Sequence, residues 1–72
     1  MSQTYEFYSE RAQESARQAS EATLDNVRER ALRSEAVWLD LAHRARQVAR
    51  DRRVADEERA ARRAAEQEDA SA

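Results

Sequence analysis

The chain of 72 residues contains no Gly, no Pro and no Cys. Because Gly and Pro usually mark turns, their absence lets helices run long and excludes turn-rich β architectures. The lack of Cys removes disulfides, thiolate metal ligands and thiol catalysis. No apolar run approaches the ~18 residues of a membrane span, and residues 1–12 lack the basic start and apolar core of a secretory signal. We therefore expect a soluble, cytoplasmic protein.

The charged residues form three blocks along the chain. Residues 1–26 carry two Arg against five acidic residues, residues 27–54 carry eight Arg against four, and residues 55–72 carry three Arg against six. The net charge of −2 conceals this acid–base–acid pattern. Such a pattern favours an arrangement in which an acidic block lies beside the basic one.

Apolar and small residues recur at steps of three or four, which indicates helix. The second stripe keeps a heptad spacing for more than three repeats. Extended backwards from Leu24, the second stripe falls on polar residues, so the two stripes do not share one heptad frame. The heptad frame changes near residues 23–26. The first stripe is Tyr5, Tyr8, Ala12, Ala16, Ala19 and Thr23, and the second is Leu24, Val27, Ala31, Ser34, Trp38, Leu41, Ala45 and Val48.

The frame shift predicts an all-α antiparallel helical hairpin. We expect one helix over about 4–22, a turn over about 23–26 and a second helix over about 26–65. Ser2 or Thr4 can cap the first helix. The alternative is one long helix in an extended coiled coil, with a stutter in place of the turn.

Side-chain size and charge favour the hairpin. Folding at about residue 24 places Trp38 opposite Ala12, which is the pairing of large with small residues that a packed core needs. The same fold also places the acidic residues 1–26 along the basic residues 27–54. We predict a single hairpin domain over 1–65 and a frayed or disordered acidic tail over 66–72.

The apolar residues of the second helix cover too wide an arc for one partner helix. Leu32, Leu39 and Ala42 form a flank that the first helix would leave in water. About a dozen large apolar side chains, each contributing about 1.5–3 kcal/mol when buried, barely offset the ordering of this chain. We therefore expect a homodimer that forms a four-helix bundle. The predicted core and oligomer seam is Tyr5, Tyr8, Val27, Ala31, Trp38, Leu39, Leu41 and Val48.

A basic segment of the second helix is a candidate contact for an anionic partner. Its arginines are Arg44, Arg46, Arg50, Arg52 and Arg53. A basic helix can lie in a nucleic-acid groove, so a nucleic-acid-binding regulator is the alternative function. The net acidic chain favours a solvated, ion-paired face instead, and we expect neither nucleic-acid nor membrane binding. Phe7 and the aromatic N-terminus form a candidate docking patch for another protein.

Catalytic and metal-binding patterns are missing from the sequence. His43 is the only histidine, with Gln47 four residues after it and Asp40 three before, which is no recognisable ligand set. No Gly-rich loop could form an oxyanion hole. We expect no enzyme activity, no metal and no cofactor.

The stretch from Leu24 to Arg44 resembles short, uncharacterised helical proteins of alphaproteobacteria. It carries Leu24, then Asn26-Val27-Arg28, then Trp38 and an Ala-x-Arg end at 42–44. The resemblance covers about a third of the chain and implies no activity or ligand. From the residues we predict a small, non-catalytic structural or protein-interaction module that self-associates.

Overall fold

The computed structural model describes residues 4–71, which form two antiparallel helices. Helix α1 is Tyr5–Glu21 and helix α2 is Asp25–Ser71. Together they make a rod with extents of 72 × 17 × 15 Å. The all-α class and the hairpin are confirmed, and the break between the helices separates this fold from one continuous helix.

Thr4 caps the start of α1. Its side chain accepts a hydrogen bond from the backbone N–H of Phe7 at 3.2 Å, which satisfies one of the N–H groups left without a partner at a helix start. Glu6 lies in the first turn, where a negative charge is stabilised by the helix dipole. Ser2, the other predicted cap, lies outside the described residues.

The turn forms without glycine because the chain leaves α1 in an extended conformation. Ala22 has φ −69° and ψ 135°, and among the described residues no backbone φ is positive. Arg28 donates from its guanidinium to the carbonyl of Ala22 at 2.9 Å and lies 3.4 Å from the Asp25 carboxylate. A side chain of α2 therefore satisfies a C-terminal carbonyl of α1. The link spans residues 22–24, slightly earlier than the predicted 23–26.

The seam between the helices is built mainly from alanine. Small side chains allow the two backbones to approach closely, but they bury little apolar area. None of the large apolar side chains among the described residues is fully buried. The buried residues are Ala12, Ser15, Ala19, Ala31 and Ala42.

The aromatic cluster around Trp38 provides the large contacts of the seam. The Trp38 ring lies 6.1 Å from the Phe7 ring, edge-on, and 6.0 Å from the Tyr8 ring, tilted. The guanidinium of Arg11 lies 5.1 Å from the centre of the Trp38 ring. Aromatic pairs at these separations stabilise packing beyond the area that they bury, so this cluster fixes α1 along α2.

The outer face of α1 carries a local ion network. Arg17 donates to Glu14 at 2.8 Å and lies 3.6 Å from Glu21. The hydrogen bond to Glu14, with the charges of Glu14 and Glu21, raises the pKa of Arg17. These exposed pairs add helix-supporting contacts of the i,i+3 and i,i+4 kind.

Helix α2 extends well past α1. Only 17 residues of α1 face the 47 residues of α2, and α1 begins beside Arg46, whose guanidinium covers the Tyr5 ring. We predicted an end near residue 65 and a frayed tail over 66–72, whereas the helix continues to Ser71, whose hydroxyl donates to the Gln67 carbonyl at 2.9 Å. The Ala- and Glu-rich composition of this segment favours helix. Residue 72 lies outside the described residues.

We expect Trp38→Ala to destabilise the hairpin by about 3 kcal/mol, the lower end for a large-to-small core change because Trp38 is only half-buried. The matched control is Val37→Ala, since Val37 is the next residue and is 59% exposed. Thermal melts followed by circular dichroism at one fixed protein concentration measure both. Equal losses for the two variants would show that the Trp38 cluster does not hold the helices together.

Candidate functional site

An open groove lies where α1 begins on the side of α2. Its volume is about 830 Å³. The apolar part of its floor comes from Tyr5, Tyr8, Leu41 and Val48, with Ala45 and Ala49 between them. Polar groups surround this floor: Thr4, Glu6, Arg44, Arg46 and Arg52. Within residues 4–71, α1 starts at Tyr5 and leaves the following turns of α2 uncovered, which opens the groove.

The groove is biased towards positive potential. Three of its lining residues are Arg, against the single carboxylate of Glu6. The N-terminus of α1 opens here too, and a helix N-terminus carries a partial positive charge. Arg46 covers the Tyr5 ring at 4.0 Å from its centre, while Arg44 pairs with Asp40 at 3.0 Å. The groove therefore suits an apolar segment that carries negative charge.

The structure divides the five predicted anion-binding arginines between different sides of α2. Arg44, Arg46 and Arg52 line the groove. At about 100° per residue, Arg50 points about 160° away from Arg52. All five are exposed, but they do not form one continuous basic face.

The predicted seam residues separate into two groups. Ala31 is buried, and Tyr5, Tyr8, Trp38 and Leu41 are half-buried. The other three are exposed: Val27 at 45%, Leu39 at 51% and Val48 at 57%. α1 therefore covers these three residues only in part.

The face of α2 that meets α1 is rotated relative to the predicted one. Ala42, which we expected to remain uncovered on the Leu39 flank, is buried with 4% exposure. Phe7, which we predicted as part of a docking patch for another protein, contacts the Trp38 ring edge-on and is 39% exposed. The reason is that a seam of small alanines lets α1 lie close over Ala31 and Ala42.

Two apolar flanks of α2 stay open to solvent on either side of α1. Leu32 and Leu39 are two turns apart on one flank, with exposures of 48% and 51%. Val37 and Val48 lie on the other flank, within about 20° of each other around the helix, with exposures of 59% and 57%. The second flank runs into the groove, because Val48 lines it.

Within residues 4–71, no group of three or more His, Cys, Asp or Glu side chains could hold a metal ion. His43 is exposed. No helix in the same range is both long enough and apolar enough to cross a membrane. The groove and the two apolar flanks are thus the features from which a function can be argued.

Two residues that position the helices were given no structural role in the sequence analysis. Arg28 closes the turn by donating to Ala22, and Ser15 is buried in the seam at 5% exposure. A basic residue shortly after a helix break is the sequence signal for the first, because such side chains can satisfy C-terminal carbonyls. A serine between alanines on a helical stripe gives no comparable signal.

We expect Arg46→Gln to lower the free energy of unfolding by about 0.5–1 kcal/mol, because it removes the cation–π contact with Tyr5. Arg50→Gln is the control, since it changes the same charge on another side of the helix. Urea titrations of both variants give the comparison. A loss of the same size in Arg50→Gln would mean that the stacked guanidinium contributes nothing specific.

Comparison with known families found no matching family model. The curated proteins and the solved structures gave no match either. The resemblance to short alphaproteobacterial proteins therefore stays a prediction, and function is inferred from the residues and contacts of this chain.

Proposed function

We propose that this protein is a small, non-catalytic, cytoplasmic helical module that self-associates as a homodimer and serves a structural or protein-interaction role. The observation that carries the proposal is the exposure of eight large apolar side chains. Four of them, Leu32, Val37, Leu39 and Val48, lie on the two flanks of the second helix. A dimer of two hairpins would bring four helices together and cover at least one flank.

The energetics of the seam support this proposal. Burial stabilises in proportion to the apolar area removed from water, at about 25 cal/mol per Å², and alanine offers little such area. Ala12, Ala19, Ala31 and Ala42 are the only apolar residues that are buried among the described ones. Apart from the Trp38 cluster, a single hairpin therefore gains little from its own seam, and a second copy would supply further apolar contacts.

A partner of a different kind is less well supported. Phe7, the candidate anchor for another protein, already contacts Trp38 and Tyr8, so only part of its ring is left for a partner. For nucleic acid, the arginines would need to reach phosphates on one side. Arg44 is already paired with Asp40 and Arg46 with Tyr5, and Arg50 lies on another side.

We expect sedimentation equilibrium to report a dimer at tens of micromolar. We also expect the melting temperature to rise with protein concentration, because association stabilises the folded state by mass action. The two measurements use the same unmodified chain and check each other. A monomer at these concentrations with a concentration-independent, cooperative melt would overturn the proposal.

We expect a fluorescent DNA duplex and a single-stranded RNA to show no saturable change in anisotropy with this protein at low salt. The reason is the net charge of −2 and the dispersed arginines, which give weak attraction to phosphates. Binding that saturates in the micromolar range and weakens steeply with added salt would favour the regulator instead. Arg52→Glu would then be expected to weaken it.

A further inference from the structure

The part of α2 beyond the groove is a single helix with charges in alternating blocks. From about residue 50 to Ser71 it extends about 33 Å at about 1.5 Å per residue. The blocks are positive over 44–53, with five Arg and one Asp, negative over 56–58, positive over 59–63 and negative over 66–69. The last three blocks each hold three charged residues of one sign.

These blocks complement one another about a single point. If two copies of α2 lie antiparallel and cross near residue 59, residues 49–52 of the block 44–53, which include Arg50 and Arg52, face 66–69 of the second copy. The same crossing point places 56–58 against 59–63. One two-fold axis thus brings two pairs of oppositely charged blocks together. A parallel alignment in register would instead place blocks of like charge opposite each other.

In this antiparallel arrangement, the groove of one copy lies beside the C-terminal turns of α2 from the other copy. A crossing near residue 59 carries the end of α2 to the level of Val48, Ala49 and Arg52, all of which line the groove. The incoming segment, residues 64–71, offers alanines for the apolar floor and places Glu66 opposite Arg52. The negative C-terminal end of its helix dipole also approaches the positive N-terminus of α1.

We infer that the groove is the docking site for the acidic C-terminal turns of α2 from a second copy, in an antiparallel, two-fold symmetric dimer centred near residue 59. This rests on the proposed self-association and places its surface at the groove and the last turns of α2. Of the four flank residues only Val48 is then covered, and the two copies of α1 lie at opposite ends of an elongated dimer instead of packing as a four-helix bundle. Both grooves are filled at once, so the contact is isologous and closes at two chains.

The stripe of α2 that faces into the groove identifies the contact residues. Continuing from Leu41 and Val48 at heptad-like steps, it reaches Arg52, Arg59 and Glu66. About the axis, Arg52 faces Glu66 of the second copy, and the symmetry makes this pair twice. Neither residue takes part in an ion pair within its own chain over residues 4–71.

Charge reversal tests the pairing. Arg52→Glu and Glu66→Arg should each weaken dimerisation about tenfold, since two contacts change from attraction to repulsion. The double variant should return to within about threefold of the unmodified protein, because each pair is restored with its signs exchanged. Sedimentation equilibrium measures all of these dissociation constants.

Matched controls lie on the opposite side of the same helix. Arg50→Glu and Glu68→Arg make the same charge changes two residues away, about 160–200° round from the residues tested. We expect them to weaken the dimer less than Arg52→Glu and Glu66→Arg, and their combination to give no comparable recovery. Equal effects of the two sets, or no recovery in the Arg52/Glu66 double variant, would overturn the inferred contact.

Cysteine cross-linking separates this inference from the proposed function, since the chain has no native Cys. Arg59→Cys places a thiol on the axis, where packed helices bring Cα atoms within disulfide range, so oxidation should yield covalent dimers. Ala61→Cys, facing away, should not. A chain that is dimeric in sedimentation but cross-links through Leu39→Cys and not Arg59→Cys overturns this arrangement and leaves self-association standing. A monomer in sedimentation overturns both.

Discussion

The structure depends on the contact between a short, alanine-faced helix and a helix almost three times as long. The 17 residues of α1 can cover only part of the 47 residues of α2, and the buried side chains of the seam are all small. Because these side chains are small, the two helices approach each other closely but bury little apolar area. The Trp38 cluster therefore carries the large contacts, and both the uncovered flanks and the free end of α2 follow from the same mismatch.

That mismatch also links the fold to its proposed role. Where α1 begins, its N-terminus, two tyrosines and three arginines surround an open apolar floor. Beyond this groove, α2 has no partner within the described part of the chain, and its charges alternate in blocks. A helix that is polar on most sides is stabilised by local ion pairs or by a partner. A second copy would supply acidic, alanine-rich turns of the size and charge that the groove suits.

Reasoning from the sequence located the helix break within one or two residues but placed some side chains on the wrong side. Ser2 or Thr4 was predicted as the N-cap of α1, and Thr4 is the cap. The frame shift near 23–26, together with side-chain size and charge, was sufficient for the antiparallel order. The exposure of Val48 was missed because a heptad frame treats every apolar position as equally covered, whereas Val48 lies beyond the start of α1 and lines the groove. The burial of Ala42 was missed because periodicity does not fix the rotation of a helix about its axis to better than about the 100° between consecutive residues.

The sequence by itself determined helix type, the approximate break and the charge blocks, because these depend on local propensity, spacing and composition. The tertiary structure decided three further features: the closure of the turn by Arg28, the rotation that buries Ala42, and the groove at the start of α1. Each of these depends on where side chains distant in the sequence meet. Such meetings follow from the packing of two surfaces against each other, which a one-dimensional pattern does not contain.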